Sequence, residues 1–541
     1  MFSFLNRSSQ LTELSEKKYD ILVIGGGITG VGIALDAVSR GLSVALLEKQ
    51  DFGAGTSSRS TKLIHGGLRY LKQFDFDLVK EVGRERAIVY RNAPHLVWPE
   101  KMVLPIIEGG SLGKFSTSLA LKFYEWLAAV PKDDERIMYS AAETLKEEPL
   151  LEAKNLIGSA IYTEYRTDDA RLVIEVAKTA ACKGANALNY AKVDEFILDE
   201  TNRVSGVRFS DLTTGDKGEV KAKYVVNAGG PWVDKLRSKV GGLDGKRLHL
   251  TKGIHIVFDR ESLPLKHSAY FDVGDGRMVF AVTRGASTYV GTTDTNYEGV
   301  LDRPKVLKSE VDYLLSAVNK QFNINELTIE DVRSSWAGLR PLIHEEGKSP
   351  TELSRKDEIF ESETGLISIA GGKLTGYRMM AKRTVDLVCS KFENPKIRKA
   401  KCSTGKLKLS GSEFGNGDVD ALARSFESTE YDQRTVMQLA KRYGSNLSRV
   451  LDYCERSNSD SKEDALLLAE LKYCVENEMV IELSDFLIRR TGRLYFSRAS
   501  VNSKLKWLND HLSEMLKWDA TTKDNSLHNC EQEFAAVLQF D

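Results

Sequence analysis

Three glycines and one acid near the start of the chain have the types and spacing that suit a phosphate-containing ligand. The run from Gly25 to Gly30 contains the pattern G-x-G-x-x-G, and Glu48 follows eighteen residues after Gly30. In such a pattern the first glycine permits a tight turn and the second lets a pyrophosphate approach the backbone. The third lets a helix pack closely on a strand, and the later acid accepts hydrogen bonds from ribose hydroxyls. Because an acid there disfavours a 2′-phosphate, the pattern predicts a dinucleotide other than NADP. The expected contacts are Gly25, Gly27, Ile28, Thr29, Gly30 and Glu48.

The elements around this pattern are those that must position it. Residues 19–24 form a short apolar run, residues 31–38 have apolar positions at helical spacing, and residues 43–47 form a second apolar run. The order strand, helix, strand within about 30 residues is typical of a dinucleotide-binding unit. The N-terminus of the helix presents unpaired N–H groups and a partial positive charge to phosphates.

Two later glycine turns favour FAD over NAD. Residues 224–232 are an apolar run ending in a glycine turn that contains Gly229, and residues 365–376 form a strand, a glycine turn with Gly372, and the start of a helix. A late turn of this kind resembles the one that flavoproteins place against the isoalloxazine ring, where a helix N-terminus stabilises negative charge. Either turn alone could equally be a structural turn between two elements, but together with the N-terminal pattern the two turns indicate FAD.

The remaining patterns outline the domain organisation. Residues 78–90 and 119–127 have helical spacing, residues 192–226 alternate like hairpin strands, and residues 254–258, 278–282 and 288–291 read as further strands. After about residue 400 the pattern becomes helical, over residues 432–455, 462–490 and 501–517. We therefore predict an N-terminal arm at 1–18, an oxidoreductase part at 19–400 and a C-terminal helical domain at 410–541.

Bulk composition excludes several function classes. Lys and Arg total 76 and Asp and Glu total 77, so no overall charge favours nucleic acid. The six cysteines form no C-x-x-C and lie beside no histidines at metal spacing, which predicts reduced thiols, no metal site and a cytoplasmic protein. Neither a signal peptide nor an apolar run of membrane-spanning length is found. The aromatic and apolar run 119–130 fits either an interfacial helix for peripheral membrane contact or a core helix.

Three longer motifs carry a resemblance to one family. Residues 56–70 read TSSRSTKLIHGGLRY, residues 336–342 read WAGLRPL and residues 370–378 read AGGKLTGYR. Residues 251–256 and 290–294 fit the same set. These blocks resemble the FAD-dependent glycerol-3-phosphate dehydrogenases, most closely the bacterial aerobic enzymes, and run in family order from about 19 to 380.

The resemblance implies an α/β fold with a Rossmann-type FAD-binding domain and an interleaved antiparallel substrate domain, like that of amino-acid oxidases. An all-α cap follows. FAD-binding segments are expected at about 19–90, 155–250 and 350–395, and substrate-domain segments at about 91–154 and 251–349. Within the matched motifs, the resemblance implies further cofactor contacts from Thr56, Ser57, Ser58, Lys62, His65, Gly67, Gly229, Gly372, Leu374 and Thr375.

The implied reaction is oxidation of sn-glycerol 3-phosphate to dihydroxyacetone phosphate, with hydride transfer from C2 to FAD. It requires cations for a phosphate dianion and a proton acceptor near C2. The resemblance suggests Arg69, Tyr70, Arg340, Arg355 and Lys373 for the substrate. His255 is our first choice of base because it lies in an otherwise apolar strand; a hydrogen-bonded core histidine is the alternative, and His65 is the second candidate. We expect His255, Arg340 and Lys373 to be the catalytic group.

The resemblance further implies a membrane quinone as electron acceptor, peripheral docking on the inner face of the cell membrane, and a homodimer. The reaction would serve glycerol catabolism and respiratory electron input. Two alternatives remain at this stage. One is an oxidase that reduces oxygen to peroxide, which is disfavoured because no long insertion precedes the helical part. The other is a non-catalytic flavin-binding protein.

Overall fold

A computed structural model describes residues 2–64, 76–110, 135–241, 243, 247–344, 357–426, 430–455 and 461–541. Within these residues the chain folds into two β-sheets with packed helices and a C-terminal helical region. The predicted architecture, an α/β part with a partly parallel sheet and a mainly antiparallel sheet followed by a helical region, is confirmed. Predictions for residues 65–75, 111–134 and 345–356 lie outside the described residues; they include the helix expected at 119–127.

The first sheet contains the predicted dinucleotide unit. Its strands are Lys18–Ile24, Val44–Leu47, Asn186–Leu188, Ala191–Leu198, Val204–Asp211, Lys217–Asn227, Asp357–Glu361 and Ile367–Gly371. The central strand Lys18–Ile24 is parallel to Val44–Leu47 on one side and to Lys217–Asn227 on the other, and Lys217–Asn227 is parallel to Ile367–Gly371. Because parallel strands end at the same edge, the three glycine turns that follow these strands meet there.

The second sheet is mainly antiparallel. Its strands are Leu63–Ile64, Val97–Ile107, Ile137–Ser140, Leu156–Thr167, Leu248–Asp259, Ser268–Asp272, Met278–Arg284, Ser287–Gly291, Thr295–Asn296 and Ser334–Ile343. Leu156–Thr167 lies in this sheet, although we expected cofactor-domain residues from about 155. The reason is its long antiparallel pairing with Val97–Ile107, which hydrogen-bonds it along its length. Such a partner distant in sequence is invisible in a local pattern.

Helices of the first part pack on these sheets. They are Arg7–Glu16, Ile28–Ser39, Phe76–Asn92, Ala141–Glu147, Asp169–Cys182, Val233–Arg237, Lys308–Gln321, Tyr377–Ser390 and Pro395–Arg398. The glycine-turn helix Ile28–Ser39 packs against both Tyr377–Ser390 and Asp169–Cys182. Gly32 makes one of these contacts close, because a Cβ there would stand 2.9 Å from the ring of Tyr377. The helices Ile28–Ser39 and Tyr377–Ser390, which both begin at glycine turns, therefore pack closely against each other.

The C-terminal region is helical, as expected from its pattern. Its helices are Val419–Arg424, Gln433–Tyr443, Leu447–Glu455, Lys462–Asn477, Arg493–Phe496, Leu505–Leu516 and Ala520–Ala536, with a π-helical turn at Asp485–Arg490. Within 432–455, where the pattern is helical, the first α-helix ends at Gly444 with φ 55° and a second begins at Leu447. The expected helix over 462–490 likewise ends after Asn477, and Met479 has φ 55°. In the described part of the chain, no helix is long and apolar enough to cross a membrane.

Candidate active site

A cavity of about 290 Å³ opens at the edge where the parallel strands of the first sheet end. Its walls come from the three glycine turns and from the segment after the second strand, over positions 24–29, 47–57, 228–232 and 369–374 in part. Ligands of open α/β sheets bind outside the carboxyl ends of the strands, so this is the expected position for a dinucleotide. Of the predicted cofactor contacts, the cavity is lined by Gly25, Gly27, Ile28, Thr29, Glu48, Thr56, Ser57, Gly229, Gly372 and Leu374.

The N-terminal glycine turn has the geometry that its spacing predicts. Gly25 has φ 110°, a conformation that side chains disfavour, and Gly27 is the N-cap of the helix Ile28–Ser39. A Cβ at Gly30 would overlap the carbonyl oxygen of Gly25, so the helix can approach the turn only because this residue is glycine. A Cβ at Gly27 would come within 3.2 Å of Ser57 Oγ beside the cavity. The turn thus brings bare backbone and a helix N-terminus to the cavity wall.

Glu48 is held rigidly beside this turn. Its Oε2 accepts a hydrogen bond from the Gly26 N–H at 2.6 Å, and its Oε1 accepts one from the Gln50 N–H at 2.8 Å. Burial raises the pKa of the Glu48 carboxyl, while these two N–H groups favour the charged form. Each carboxylate oxygen has a second lone pair, so the acid can still accept from ribose hydroxyls. The turn, the acid and the cavity fit the ADP half of FAD.

Residues 56–62, rich in serine and threonine and called the hydroxyl loop below, divide into residues that line the cavity and residues that support it. Ser57 Oγ accepts from the Ile28 N–H at 3.0 Å, and the Thr56 hydroxyl donates to the Leu339 carbonyl at 2.7 Å. Ser58 and Lys62 are buried and do not line the cavity. The Lys62 ammonium donates to the Ser58 carbonyl and to Asp169 Oδ1, at 2.9 and 2.6 Å. Lys62 therefore stabilises the loop on the side that faces away from the cavity.

The last glycine turn forms the opposite wall. Gly371 and Gly372 have φ 80° and 77°, and the helix Tyr377–Ser390 begins shortly after them. Lys373 and Leu374 line the cavity, whereas Thr375 is buried and does not. A lysine at this wall supplies positive charge where a reduced flavin ring would carry negative charge. The wall fits the flavin half of FAD, as the sequence predicts.

His255 is buried, with 2% of its surface exposed, in the strand Leu248–Asp259. Its imidazole stacks on the indole of Trp336, and its Nε2 lies 3.0 Å from the Thr61 hydroxyl oxygen. Burial lowers its pKa well below 6.5, and the positive charges of Arg340 and Lys62 lower it further. The imidazole is consequently neutral at pH 7, which is the state that a proton acceptor requires.

Arg340 lies on the neighbouring strand Ser334–Ile343, where it is paired with Thr251. Its Nη2 donates to the Thr292 hydroxyl at 2.8 Å and to the Thr293 carbonyl at 3.2 Å, and its Nη1 donates to Asp294 Oδ1 at 3.1 Å. These three acceptors fix the plane of the guanidinium group. A planar cation held in this way is suited to a bidentate contact with phosphate.

Two glycines make room for these two side chains. A Cβ at Gly253 would overlap Arg340 Nη2 and the Thr292 hydroxyl, and a Cβ at Gly291 would overlap the His255 ring. Since Gly253 and His255 are two residues apart on one strand, their side-chain directions share a face. The Arg340 guanidinium therefore lies on the face of the second sheet toward which the His255 imidazole points.

The predicted site residues are thus only partly brought together. Lys373 lines the cavity; His255 and Arg340 do not, and they share a face of the neighbouring sheet. His65, Gly67, Arg69, Tyr70 and Arg355 lie outside the described residues. In the regions that the structure describes, no group of three or more His, Cys, Asp or Glu could hold a metal.

Several contacting residues were not singled out from the sequence. Thr61 and Trp336 contact His255, and Thr292 and Asp294 accept hydrogen bonds from Arg340. Trp232 lines the cavity, and the Lys49 ammonium lies 4.1 Å from the centre of the Trp232 ring. All except Lys49 belong to segments with recognisable motifs, so motif membership was an available signal. Lys49 gave none, because a lysine following an acid is ordinary at a protein surface.

Comparison with known proteins identifies the family. Residues 20–378 match the family described as FAD dependent oxidoreductase, and residues 402–523 match the C-terminal domain of alpha-glycerophosphate oxidase. The chain is 49% identical over 537 residues to an aerobic glycerol-3-phosphate dehydrogenase of Bacillus subtilis (strain 168), covering 98% of this chain and 97% of the relative. A Staphylococcus aureus (strain USA300) protein of the same name is 47% identical, covering 96% of this chain and 95% of the relative.

Solved structures agree. The glycerol-3-phosphate dehydrogenase from Bacillus halodurans complexed with FAD is 42% identical with a TM-score of 0.85, covering 100% of this chain and 99% of that chain. The L-alpha-glycerophosphate oxidase from Mycoplasma pneumoniae with FAD bound is 18% identical with a TM-score of 0.54, covering 69% of this chain and 95% of that chain, and shares the fold. The chain belongs to the FAD-dependent oxidoreductase family, among the aerobic glycerol-3-phosphate dehydrogenases.

Proposed function

We propose that this chain oxidises sn-glycerol 3-phosphate to dihydroxyacetone phosphate and that the electrons pass through FAD to a membrane quinone. The observation that carries the proposal is that His255 and Arg340 share a face of the second sheet, while Pro341, next to Arg340 in the chain, lines the dinucleotide cavity. A proton acceptor and a phosphate-binding cation on one face match the two ends of this substrate. The names of the relatives support the same substrate.

His255 is the proposed base. Oxidation at C2 requires that the proton of the C2 hydroxyl be removed as the C–H hydrogen leaves. The lowered pKa keeps the imidazole neutral and ready to accept this proton. Trp336 and Thr61 fix the plane of the ring, so its direction is set before the substrate arrives.

Arg340 and Lys373 are the proposed cations for substrate within the described residues. Asp294 compensates part of the Arg340 charge, while Thr292 and Thr293 hold its orientation through neutral oxygens. Lys373 approaches from the last glycine turn, on the cavity wall. The proposal also assigns Arg69, Tyr70 and Arg355 to substrate binding, as the sequence motifs predict.

The glycine turns and Glu48 are proposed to hold the cofactor. Gly25, Gly27 and the start of the helix Ile28–Ser39 would hold the pyrophosphate, and Glu48 would hold the ribose. Gly372 and Leu374 would lie against the flavin. When bound, FAD supplies a two-electron acceptor for the hydrogen that leaves C2. The protein's own part is to orient the substrate, exclude water and accept the proton.

The second candidate is an oxidase that transfers the electrons to oxygen. The observation favouring it is the match of residues 402–523 to a domain described for alpha-glycerophosphate oxidase. The high identity with proteins named as dehydrogenases over nearly the whole chain favours the quinone acceptor.

We also propose that the protein docks peripherally at the cytoplasmic face of the cell membrane and that it forms a homodimer. Membrane fractionation would test the docking, and light scattering would test the dimer.

Acceptor dependence tests this proposal. Purified protein with FAD and sn-glycerol 3-phosphate is assayed under nitrogen with a soluble quinone, and in air without quinone while peroxide is measured. The proposal predicts rapid quinone reduction and little peroxide. Rapid peroxide formation in air with slow quinone reduction would instead establish the oxidase.

A further inference from the structure

The C-terminal helical region is connected to the wall of the cofactor cavity through buried ion pairs, the first of which is at Asp51. Asp51 lies between Glu48 and the hydroxyl loop, is fully buried and does not line the cavity. Arg490 donates to both of its oxygens, at 2.6 and 2.8 Å, and Arg489 donates to Oδ2. Both arginines belong to the π-helical turn Asp485–Arg490. A single acid of the cofactor half is thus held by two arginines of the C-terminal half.

The charges of this contact are matched. Burial on its own raises the pKa of the Asp51 carboxyl, but Arg490 and Arg489 outweigh burial and hold it at about 2. Asn189 donates a further hydrogen bond to Oδ1 at 3.1 Å, and its amide also donates to the Met479 carbonyl. Arg489 also pairs with the buried Asp485, so two acids face two arginines, and loss of either arginine would leave one buried charge uncompensated.

The segment that Asp51 anchors forms much of the cavity wall. Glu48 and Gln50 precede Asp51 on this wall, and Ala54 and Ser57 follow it. The Gly53 N–H donates to the Gly26 carbonyl at 3.0 Å, and a Cβ at Gly26 would come within 2.7 Å of the Phe52 ring. The segment and the first glycine turn therefore interlock. A shift of Asp51 would move both Glu48 and the loop at Ser57.

A second connection runs to the same loop from the same part of the C-terminal region. The Glu478 carbonyl accepts from Arg490, and the Glu478 carboxylate pairs with Arg171 of the helix Asp169–Cys182. Two residues earlier on that helix, Asp169 accepts from Ser60 and Lys62 of the hydroxyl loop. The π-helical turn is thus connected to the chain on both sides of the loop, directly at Asp51 before it and through Glu478, Arg171 and Asp169 at Lys62.

We propose that the C-terminal region completes the FAD site, with Asp51 as a positioning residue that Arg489 and Arg490 hold for the cofactor. FAD affinity and the stability of the π-helical turn are then linked, and each increases the other. The inference rests on FAD binding and not on the identity of the substrate. Its failure and that of the proposed function are therefore distinguishable, since cofactor release is measured without substrate.

The first test compares two buried acids that each pair with two arginines. Asp51→Asn removes the charge that anchors the cavity wall. Glu470→Gln is the matched control, because Glu470 is fully buried and its carboxylate pairs with Arg442 and Arg493, both within the C-terminal region. FAD release is followed by the appearance of flavin fluorescence after the holoenzyme is diluted into buffer without FAD.

We expect Asp51→Asn to accelerate FAD release by about tenfold or more, because charge-assisted bonds that fix the wall are lost. Both variants should lower the thermal midpoint of unfolding by similar amounts. Glu470→Gln should nevertheless change the rate of FAD release by less than about threefold. A purely structural role for Asp51 would give both variants the same effect on release, and that result would overturn the inference.

A second measurement needs no variant and remains decisive if Asp51→Asn fails to fold. Amide hydrogen exchange of the wild-type holoenzyme is compared with that of the same protein depleted of FAD. The inference predicts slower exchange in the presence of FAD at 485–491, as well as at 48–57. Slowing at 48–57 without any change at 485–491 would contradict it.

Discussion

The imidazole of His255 lies parallel to the indole of Trp336, with ring centres 4.7 Å apart and an angle of 11° between the planes. Thr61 engages Nε2, and within the residues that the structure describes Nδ1 has no hydrogen-bond partner. The stacked indole prevents the ring from turning, so each nitrogen has a fixed direction. In the tautomer whose Nε2–H donates to the Thr61 hydroxyl, Nδ1 keeps its lone pair and is the nitrogen that can accept a proton.

Replacement of His255 by asparagine should remove the proton acceptor and leave FAD in place. Loss of a general base costs about 10²- to 10⁴-fold in rate, so flavin reduction by sn-glycerol 3-phosphate should slow by this factor. Stopped-flow absorbance at the flavin band measures the rate. His249→Asn is the control on the same strand, where the imidazole Nε2 contacts Asn296. A His255→Asn rate within about threefold of wild type would exclude His255 as the base.

The pH dependence of flavin reduction should follow the lowered pKa of His255. Burial and the nearby cations disfavour the protonated ring, so the active neutral form persists down to pH values below 6.5. At saturating substrate the reduction rate should be constant above about pH 6.5 and should fall about tenfold per pH unit only below the lowered pKa. An acid limb centred above pH 7 would contradict the assignment.

Replacement of Arg340 by alanine should weaken substrate binding and spare the cofactor. A charge-assisted contact to phosphate contributes about 2–3 kcal/mol, which corresponds to about 30- to 150-fold in kcat/KM, expressed mainly as a higher KM. The flavin content and absorbance spectrum should match wild type. Arg340→Lys should recover only part of the loss, because lysine cannot reproduce the planar bidentate contact. Unchanged kinetics in Arg340→Ala would remove Arg340 from the site.

A methyl group at Gly253 should displace the guanidinium of Arg340. The added Cβ would overlap both Nη2 and the Thr292 hydroxyl, so Gly253→Ala should reproduce the KM effect of Arg340→Ala without removing any charge. Gly241→Ala is the control, because no atom of the described structure lies within 4 Å of a Cβ built there. Steady-state kinetics and flavin content measure both variants. Normal kinetics in Gly253→Ala would show that the close approach has no role in binding.

Local sequence signals were enough to predict the first glycine turn and the helix that begins there. The spacing of Gly25, Gly27 and Gly30 encodes a turn, a phosphate approach and a helix contact within six residues, and the structure has the turn and the helix contact. Glu48 directly follows the next strand, which ends at Leu47, and lines the same cavity. These features depend on neighbours close in sequence, so a pattern can reveal them.

Contacts between distant parts of the chain could not be read in this way. Asp51 meets Arg490 across 439 positions, and neither residue stands in a pattern that indicates the other. The final helix Ala520–Ala536 was missed because its buried residues are mainly small or polar, among them Ser526 and Cys530, so no apolar stripe marks it. Trp336 and Thr61 stand in recognisable motifs, but their contacts with His255 become visible only in the folded structure.

Flavin bleaching under anaerobic conditions tests the central claim most directly. The yellow holoenzyme is mixed with sn-glycerol 3-phosphate in the absence of oxygen and quinone, and in parallel with glycerol and with glycine. The account predicts rapid loss of the flavin absorbance with sn-glycerol 3-phosphate alone, because only this compound offers both a C2 hydroxyl to His255 and a phosphate to Arg340. A flavin spectrum that persists with sn-glycerol 3-phosphate, or bleaches as rapidly with glycerol, would contradict the account.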